Sequence, residues 1–194
     1  MKTLQVYMKS KSSEALGPYK RYILWVQGCE RRCKGCIAKD SWDIDNGTTE
    51  NVDDIVNEIL SITNIEGVTI SGGEPFLQSD ALCELIKEIK SKRDLGIIIY
   101  TGYLYDEIKE NPLTKICDLI IDGEYVEELN DDLSLRGSSN QNIISITERY
   151  ANIIENYYGI QGRKTEMYFE DKGIKLIGIP TKENLKLYQG DVVK

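Results

Sequence analysis

Cys29, Cys33 and Cys36 lie in the run Gly28-Cys29-Glu30-Arg31-Arg32-Cys33-Lys34-Gly35-Cys36, directly after an apolar stretch at 22–26, in a chain of 194 residues that contains no histidine. That spacing suits three corners of a 4Fe-4S cube. Cubane clusters ordinarily take four thiolates, so a loop offering three leaves one iron open to a small chelating ligand, and an open iron points to catalysis. A closed zinc site is the alternative, but it needs four ligands, and the remaining cysteines, Cys83 and Cys117, stand alone and far apart. Five cysteines are an odd number for disulfides, and the N-terminal MKTLQVYMKS lacks the apolar core of a secretory signal.

Such residues need elements to hold them. Short apolar runs at 22–26, 67–71, 96–100 and 118–121 read as strands, alternating with segments of helical period, the pattern of βα units and a parallel sheet. Val52, Ile55, Val56, Ile59 and Leu60 recur at helix spacing behind a cap at Thr49 or Asn51. A second helix starts after Ser79 and buries Leu82, Leu85, Ile86 and Ile89, and a shorter one is expected over 103–109. Cys83 sits beside the second helix's apolar stripe and Cys117 opens a strand, so both read as core.

The polar residues fall where each strand ends. The cysteine loop follows the first, Gly72-Gly73-Glu74-Pro75 the second, Thr101-Gly102-Tyr103 the third and Asp122-Gly123 the fourth. In parallel α/β sheets active sites are built at that edge, because the βα loops converge there. Gly72 and Gly73 would let backbone approach a ligand closely, and Glu74 offers a carboxylate to an ammonium. Beside an open cubane iron, a pocket for an amino-acid ammonium describes a site for S-adenosylmethionine. Taken singly, each of these motifs is also an ordinary turn.

Composition places the chain among cytoplasmic enzymes: 41% hydrophobic and 29% charged residues can cover one core, and no apolar run approaches membrane-spanning length. Lys+Arg 24 against Asp+Glu 32 leaves a net charge of −8, which argues against nucleic acid or an anionic membrane as partner. Against that background Arg31, Arg32 and Lys34 make the cluster loop locally basic, either a docking polarity for an acidic electron carrier or substrate protein, or a solvated loop.

In these residues the chain resembles the radical S-adenosylmethionine superfamily, and within it the activating enzymes of anaerobic class III ribonucleotide reductase. Cys29, Cys33 and Cys36 match the superfamily's CxxxCxxC. The narrower pattern is Gly17-Pro18, Gly28, Gly35, Ser41-Trp42, Ser71-Gly72-Gly73-Glu74-Pro75, Thr101-Gly102-Tyr103, Asp122-Gly123 and Arg136-Gly137-Ser138-Ser139-Asn140-Gln141, spanning 15–145 in the family's order. The resemblance implies a 4Fe-4S cluster on Cys29, Cys33 and Cys36, with Gly72, Gly73 and Glu74 holding the ammonium end of S-adenosylmethionine. It also implies that Gly35, Cys36 and Ile37 lie along the adenosine, and that Thr101, Tyr103 and Asp122 line the adenosine or a nearby cation. An electron from flavodoxin or ferredoxin would then cleave S-adenosylmethionine to methionine and a 5′-deoxyadenosyl radical, which removes a hydrogen atom from a glycine Cα of the partner reductase. Arg136 would pair with a ligand carboxylate or staple its own loop.

The chain departs from the family where Ile37-Ala38 replaces a frequent Tyr-Asn pair after the third cysteine. Residues 147–194 carry none of the motifs. They read as a helix with Tyr150, Ile153, Ile154 and Tyr157 on one face, then a hairpin: Thr165, Met167 and Phe169 alternate with polar residues, 171–173 turns and 174–179 returns. The expected architecture is an incomplete, open (βα) barrel of about five or six mainly parallel strands. Residues 1–146 would form the core domain and 147–194 an extension packed on it, either capping a sheet edge or retargeting the enzyme. An open side would admit the glycine-bearing loop of a partner laterally. Three functions remain in view: the reductase activase; a radical S-adenosylmethionine enzyme acting on another glycyl-radical protein, a ribosomal peptide or a small molecule; and a noncatalytic cluster or zinc module.

Overall fold

The computed structural model describes residues 2–158, 162–170 and 173–184. In chain order come β1 (Thr3–Ser13), β2 (Arg21–Val26), β3 (Thr48–Asn51), α1 (Val52–Ser61), β4 (Gly67–Gly72), a 3-10 turn (Pro75–Gln78) running into α2 (Ser79–Lys92), β5 (Gly96–Tyr100), the short α3 (Tyr105–Ile108), β6 (Leu119–Asp122) and β7 (Asn142–Ser145). These strands make a seven-stranded sheet in the order β3-β1-β2-β4-β5-β6-β7. The central four, β2, β4, β5 and β6, pair in parallel, while β1 on β2, β3 on β1 and β7 on β6 are antiparallel. A separate antiparallel hairpin is formed by β8 (Thr165–Glu170) and β9 (Gly173–Gly178). Among the described residues no helix is long and apolar enough to cross a membrane.

The central strands read as unbroken apolar runs because both faces of the sheet are covered; β2 is buried at every position. Side chains alternate across a strand. Tyr22, Leu24, Val26, Val68, Ile70, Ile97, Ile99 and Ile120 therefore share one face, packed under Val52, Ile55, Val56 and Ile59 of α1 and Leu82, Leu85, Ile86 and Ile89 of α2. Cys83 and Cys117 belong to this same core. On the second face Ile23 and Trp25 form one cluster, and Ile98, Leu119 and Ile121 another.

The sheet exceeds the expected five or six strands because β1, β3 and β7 join it antiparallel. Their sequences give little signal. β3 is Thr-Thr-Glu-Asn, largely exposed and held by backbone pairing to β1, and β7 offers only Ile143 and Ile144. The helix expected over 103–109 shortens to Tyr105–Ile108.

Among the described residues, parts of the stretch after 146 pack on the second face of the sheet. Tyr150, fully buried, packs with Ile98, Leu119 and Ile121, and Ile153 and Ile154 pack beside it. The helix expected there is a single α-turn (Ala151–Ile153) continued by a π-turn (Ile154–Tyr158). Ile177 of β9 is buried against Leu16, Ile23 and Trp25. Of the hairpin's expected turn, positions 171 and 172 lie outside the described residues. Arg21, fully buried on β2, ties the layers together. Its guanidinium donates to Glu66 Oε2 (2.6 Å), Tyr150 Oη (2.8 Å), Thr69 Oγ1 (2.8 Å) and the carbonyls of Val68 (3.0 Å) and Gly96 (2.7 Å).

Candidate active site

Parallel register brings the first two motifs together. Val26 of β2 lies beside Gly72 of β4, so the cysteine loop and the Gly-Gly-Glu turn leave the sheet at one level. Hydrogen bonds then lock them: Gly73 N–H donates to Val26 O (2.8 Å) and Glu74 N–H to Gly28 O (2.7 Å). The cysteine loop is closed at its base, where Gly28 N–H donates to Ser41 O (2.7 Å) and Cys29 N–H to Trp42 O (2.9 Å). The glycines serve this close approach. A Cβ on Gly73 would stand 2.2 Å from Gly28 O, and Gly72, at φ +101°, would place one 2.6 Å from the Val26 backbone. The absent side chains at both positions make room for the neighbouring strand end and the cysteine loop.

A single cleft collects the strand-end loops. Its walls include Cys29, Cys33, Cys36 and Ile37, then Gly72, Gly73 and Glu74, then Thr101. The three cysteines are half-buried, whereas Cys83 and Cys117 are buried elsewhere, the Cys117 thiol being pushed up to about 12 by burial. Burial also raises the thiols of Cys29 and Cys33, and backbone N–H groups oppose it: those of Arg31 and Arg32 toward Cys29, and that of Tyr125 toward Cys33. Gly35 lies behind this wall; at φ +77° it turns the loop, and a Cβ there would strike the Glu127 carboxyl at 2.7 Å.

Glu74 is 1% exposed and fully engaged. Its Oε1 accepts from Phe76 N–H (3.0 Å) and Thr101 Oγ1 (2.8 Å), and Oε2 accepts from Gly102 N–H (2.8 Å). Burial raises its pKa above the ordinary carboxylate value, and those three donors together with the Arg31 charge oppose the shift without cancelling it. Thr101, itself on the wall, thus also holds Glu74 in place. Tyr103 and Asp122 stand off the cleft wall. The Tyr103 ring carries the Arg31 guanidinium 4.1 Å above its centroid and meets Phe76 edge-on. Asp122 accepts from Tyr105 N–H (2.8 Å) and from the backbone (3.0 Å) and side-chain (2.9 Å) nitrogens of Asn142, so it fixes the loops after β5 and β6.

Arg136 staples its own loop, donating from Nε (3.0 Å) and a terminal nitrogen (2.6 Å) to Asp131 Oδ2. Gln141 accepts from Gly137 N–H (2.7 Å) and donates to Gly123 O (2.7 Å), which holds Gly137 and Gln141 on the cleft wall. The cluster loop's charges are largely answered within the chain: Arg31 pairs with Glu124 (3.1 Å) and Glu107 (3.5 Å), and Lys34 with Glu128 (3.0 Å). Sequence reasoning missed Tyr100, Tyr125, Leu16, Trp25 and the stretch Gly178, Ile179 and Pro180, all on the wall. Tyr125 follows Asp122-Gly123 closely enough to have been suspected; the last three carry no local signal.

The donor chemistry fits an iron–sulfur cluster: three thiols share one mouth, and backbone N–H groups beside two of them favour the thiolate form that binds iron. Among the described residues no three His, Cys, Asp or Glu side chains converge on a single ion. Comparison with known proteins agrees with the thiol loop. Residues 15–144 match the family model of the 4Fe-4S single cluster domain. The anaerobic ribonucleoside-triphosphate reductase-activating protein of Enterobacteria phage T4 is 33% identical over 138 residues, 68% of this chain and 88% of that protein. Its counterpart in Vibrio cholerae is 33% identical over 141 residues, covering 68% and 91%. The pyruvate formate-lyase-activating enzyme of Staphylococcus epidermidis is 47% identical over a shorter 81 residues, 39% of this chain and 32% of that enzyme. The chain belongs to the 4Fe-4S single-cluster family of radical S-adenosylmethionine activating enzymes.

Proposed function

We propose that this enzyme installs a glycyl radical on an anaerobic ribonucleoside-triphosphate reductase. The observation that carries the reading is the hydrogen-bonded union of the three-cysteine loop with the Gly-Gly-Glu turn on one cleft, in a chain whose relatives at 33% identity bear that reductase's activation in their names. Cys29, Cys33 and Cys36 would hold the cluster, which, when bound with S-adenosylmethionine and reduced by flavodoxin or ferredoxin, supplies the 5′-deoxyadenosyl radical. Every other part is the chain's own work. Glu74, buried with its acceptor sites facing Phe76, Thr101 and Gly102, offers fixed negative charge to the ligand's ammonium. Gly72 and Gly73 keep the turn against the cluster loop, and Gly35, Cys36 and Ile37 run along the adenosine. Thr101 orients Glu74, Tyr103 backs Arg31, and Asp122 fixes the neighbouring loops.

In this reading the sheet is the incomplete radical S-adenosylmethionine barrel, residues 1–146 are its core domain, and 147–194 are an extension packed on it, in a cytoplasmic protein. Deuterium tests the reading: with the reductase's glycines α-deuterated, 5′-deoxyadenosine should gain deuterium. No transfer in the presence of cleavage would reject this substrate. The 47% match to a pyruvate formate-lyase-activating enzyme favours one second reading, another glycyl-radical enzyme as substrate, and the same label on that enzyme distinguishes the two.

A further inference from the structure

The family match ends at residue 144, yet the exit of β9 returns to the cleft, where Gly178, Ile179 and Pro180 stand on the wall with Leu16 and Trp25. Two anchors hold this stretch in place. One is apolar: Ile177 is buried with Leu16, Ile23 and Trp25, and Ile179 and Tyr100 pack on the same cluster. The other is Arg163, whose side chain is 1% exposed. It donates to the carbonyls of Pro180 (2.9 Å), Leu133 (2.9 Å), Arg136 (2.8 Å) and Gly137 (2.8 Å). That guanidinium binds the exit of β9 to the loop that puts Gly137 and Gln141 on the same wall. Gly178, at φ +110°, makes the bend, since a Cβ there would lie 2.6 Å from Lys164 O and 3.0 Å from Ala15 Cβ.

We propose that Ile179 and Pro180, positioned by Arg163, form a wall of the S-adenosylmethionine pocket, so that the extension is part of the cofactor site. This rests on the reading that the cleft takes S-adenosylmethionine. The chemistry suits the adenosine part of that ligand. The cysteine and Gly-Gly-Glu side of the cleft supplies charge and hydrogen bonds, whereas Leu16, Trp25, Ile179 and Pro180 present apolar surface on which a purine or ribose face can rest. Both hairpin residues are stiff, Pro180 by its ring and Ile179 by β-branching, so the wall is set before the ligand arrives. Arg163 acts through them and touches no ligand.

The test uses the full chain, anaerobically reconstituted, with the cluster oxidised and no reductant, so that S-adenosylmethionine binds without turning over. Hydrogen exchange read by mass spectrometry should slow in peptides covering 71–74 and 175–182 when S-adenosylmethionine is added. Protection at 71–74 alone overturns the wall and leaves the pocket reading standing; protection at neither overturns both. By equilibrium binding, Ile179→Trp should weaken affinity about tenfold at unchanged iron content, whereas Met167→Trp, on the hairpin's exposed side, should leave it unchanged. Arg163→Met should weaken binding as well, with partial rescue by Arg163→Lys; equal affinity in Ile179→Trp and the parent overturns the proposal.

Discussion

Gly73→Ala tests how the cysteine loop and the Gly-Gly-Glu turn depend on each other. The added Cβ would stand 2.2 Å from Gly28 O, 2.8 Å from Gly28 C and 3.0 Å from Gly28 N, all backbone atoms that have no rotamer to move. The two loops must part by about 1 Å before the contact becomes ordinary. Parting them strains the bonds from Gly73 N–H to Val26 O and from Glu74 N–H to Gly28 O, each worth about 1 kcal/mol. Overpacking adds roughly 1–3 kcal/mol, so the loss is about 3–5 kcal/mol, or roughly 6–20 °C of melting temperature at this chain length. Because the displaced atoms belong to the base of the cysteine loop, iron per chain after anaerobic reconstitution should fall together with S-adenosylmethionine affinity. Gly102→Ala is the internal control. Its Cβ would meet Arg31 Cγ at 3.0 Å, a flexible side chain that can yield. Thermal denaturation followed by circular dichroism, with iron analysis on the same samples, decides the matter. A Gly73→Ala protein that melts like the parent and loads the same iron would refute the coupling.

Other consequences are open to direct measurement. Alanine at Cys29, Cys33 or Cys36 should abolish the cluster's visible absorbance, while alanine at Cys83 or Cys117 should leave iron content unchanged, since both are buried away from the cleft. Glu74→Gln puts an amide nitrogen against the donors of Phe76, Thr101 or Gly102, so dithionite-driven 5′-deoxyadenosine formation should drop about tenfold or more as the turn is disturbed and the charge removed. Arg21→Met should cost about 3 kcal/mol in chemical denaturation, because it strips the donor from two strand carbonyls and removes one of the two guanidinium groups on Glu66, leaving only that of Arg149. Tyr150→Phe, which loses the bond to Glu66 (2.7 Å) and the one from Arg21 (2.8 Å), should cost about 1–2 kcal/mol.

What could be read from the sequence follows how locally each feature is encoded. The four parallel strands were legible because burial on both faces makes them continuous apolar runs, as at Tyr22, Ile23 and Leu24. The convergence of Cys29, Gly73 and Thr101 followed from strand ends alone, since parallel βα units send their loops to one edge. β3 escaped notice because its Thr-Thr-Glu-Asn pairs through backbone atoms that no side chain announces. Asp122 was singled out by its strand-end position, but its bonds to Tyr105 and Asn142 join segments that the sequence alone does not bring together. The pairing of Arg31 and Lys34 in the cluster loop with Glu107, Glu124 and Glu128 was not legible, because those carboxylates lie far away in sequence. Ile179 and Pro180 reach the cleft only through tertiary packing of the hairpin, which periodicity does not encode.

Electron paramagnetic resonance on the activation reaction tests the central claim most directly. The reconstituted enzyme, S-adenosylmethionine and a reductant are mixed anaerobically with the cognate anaerobic ribonucleoside-triphosphate reductase, and the frozen sample is examined for an organic radical. The account predicts a glycyl doublet on the reductase that collapses to a singlet when its glycine is α-deuterated and is absent with Cys33→Ala enzyme. Vigorous cleavage of S-adenosylmethionine with no doublet on that reductase would contradict it.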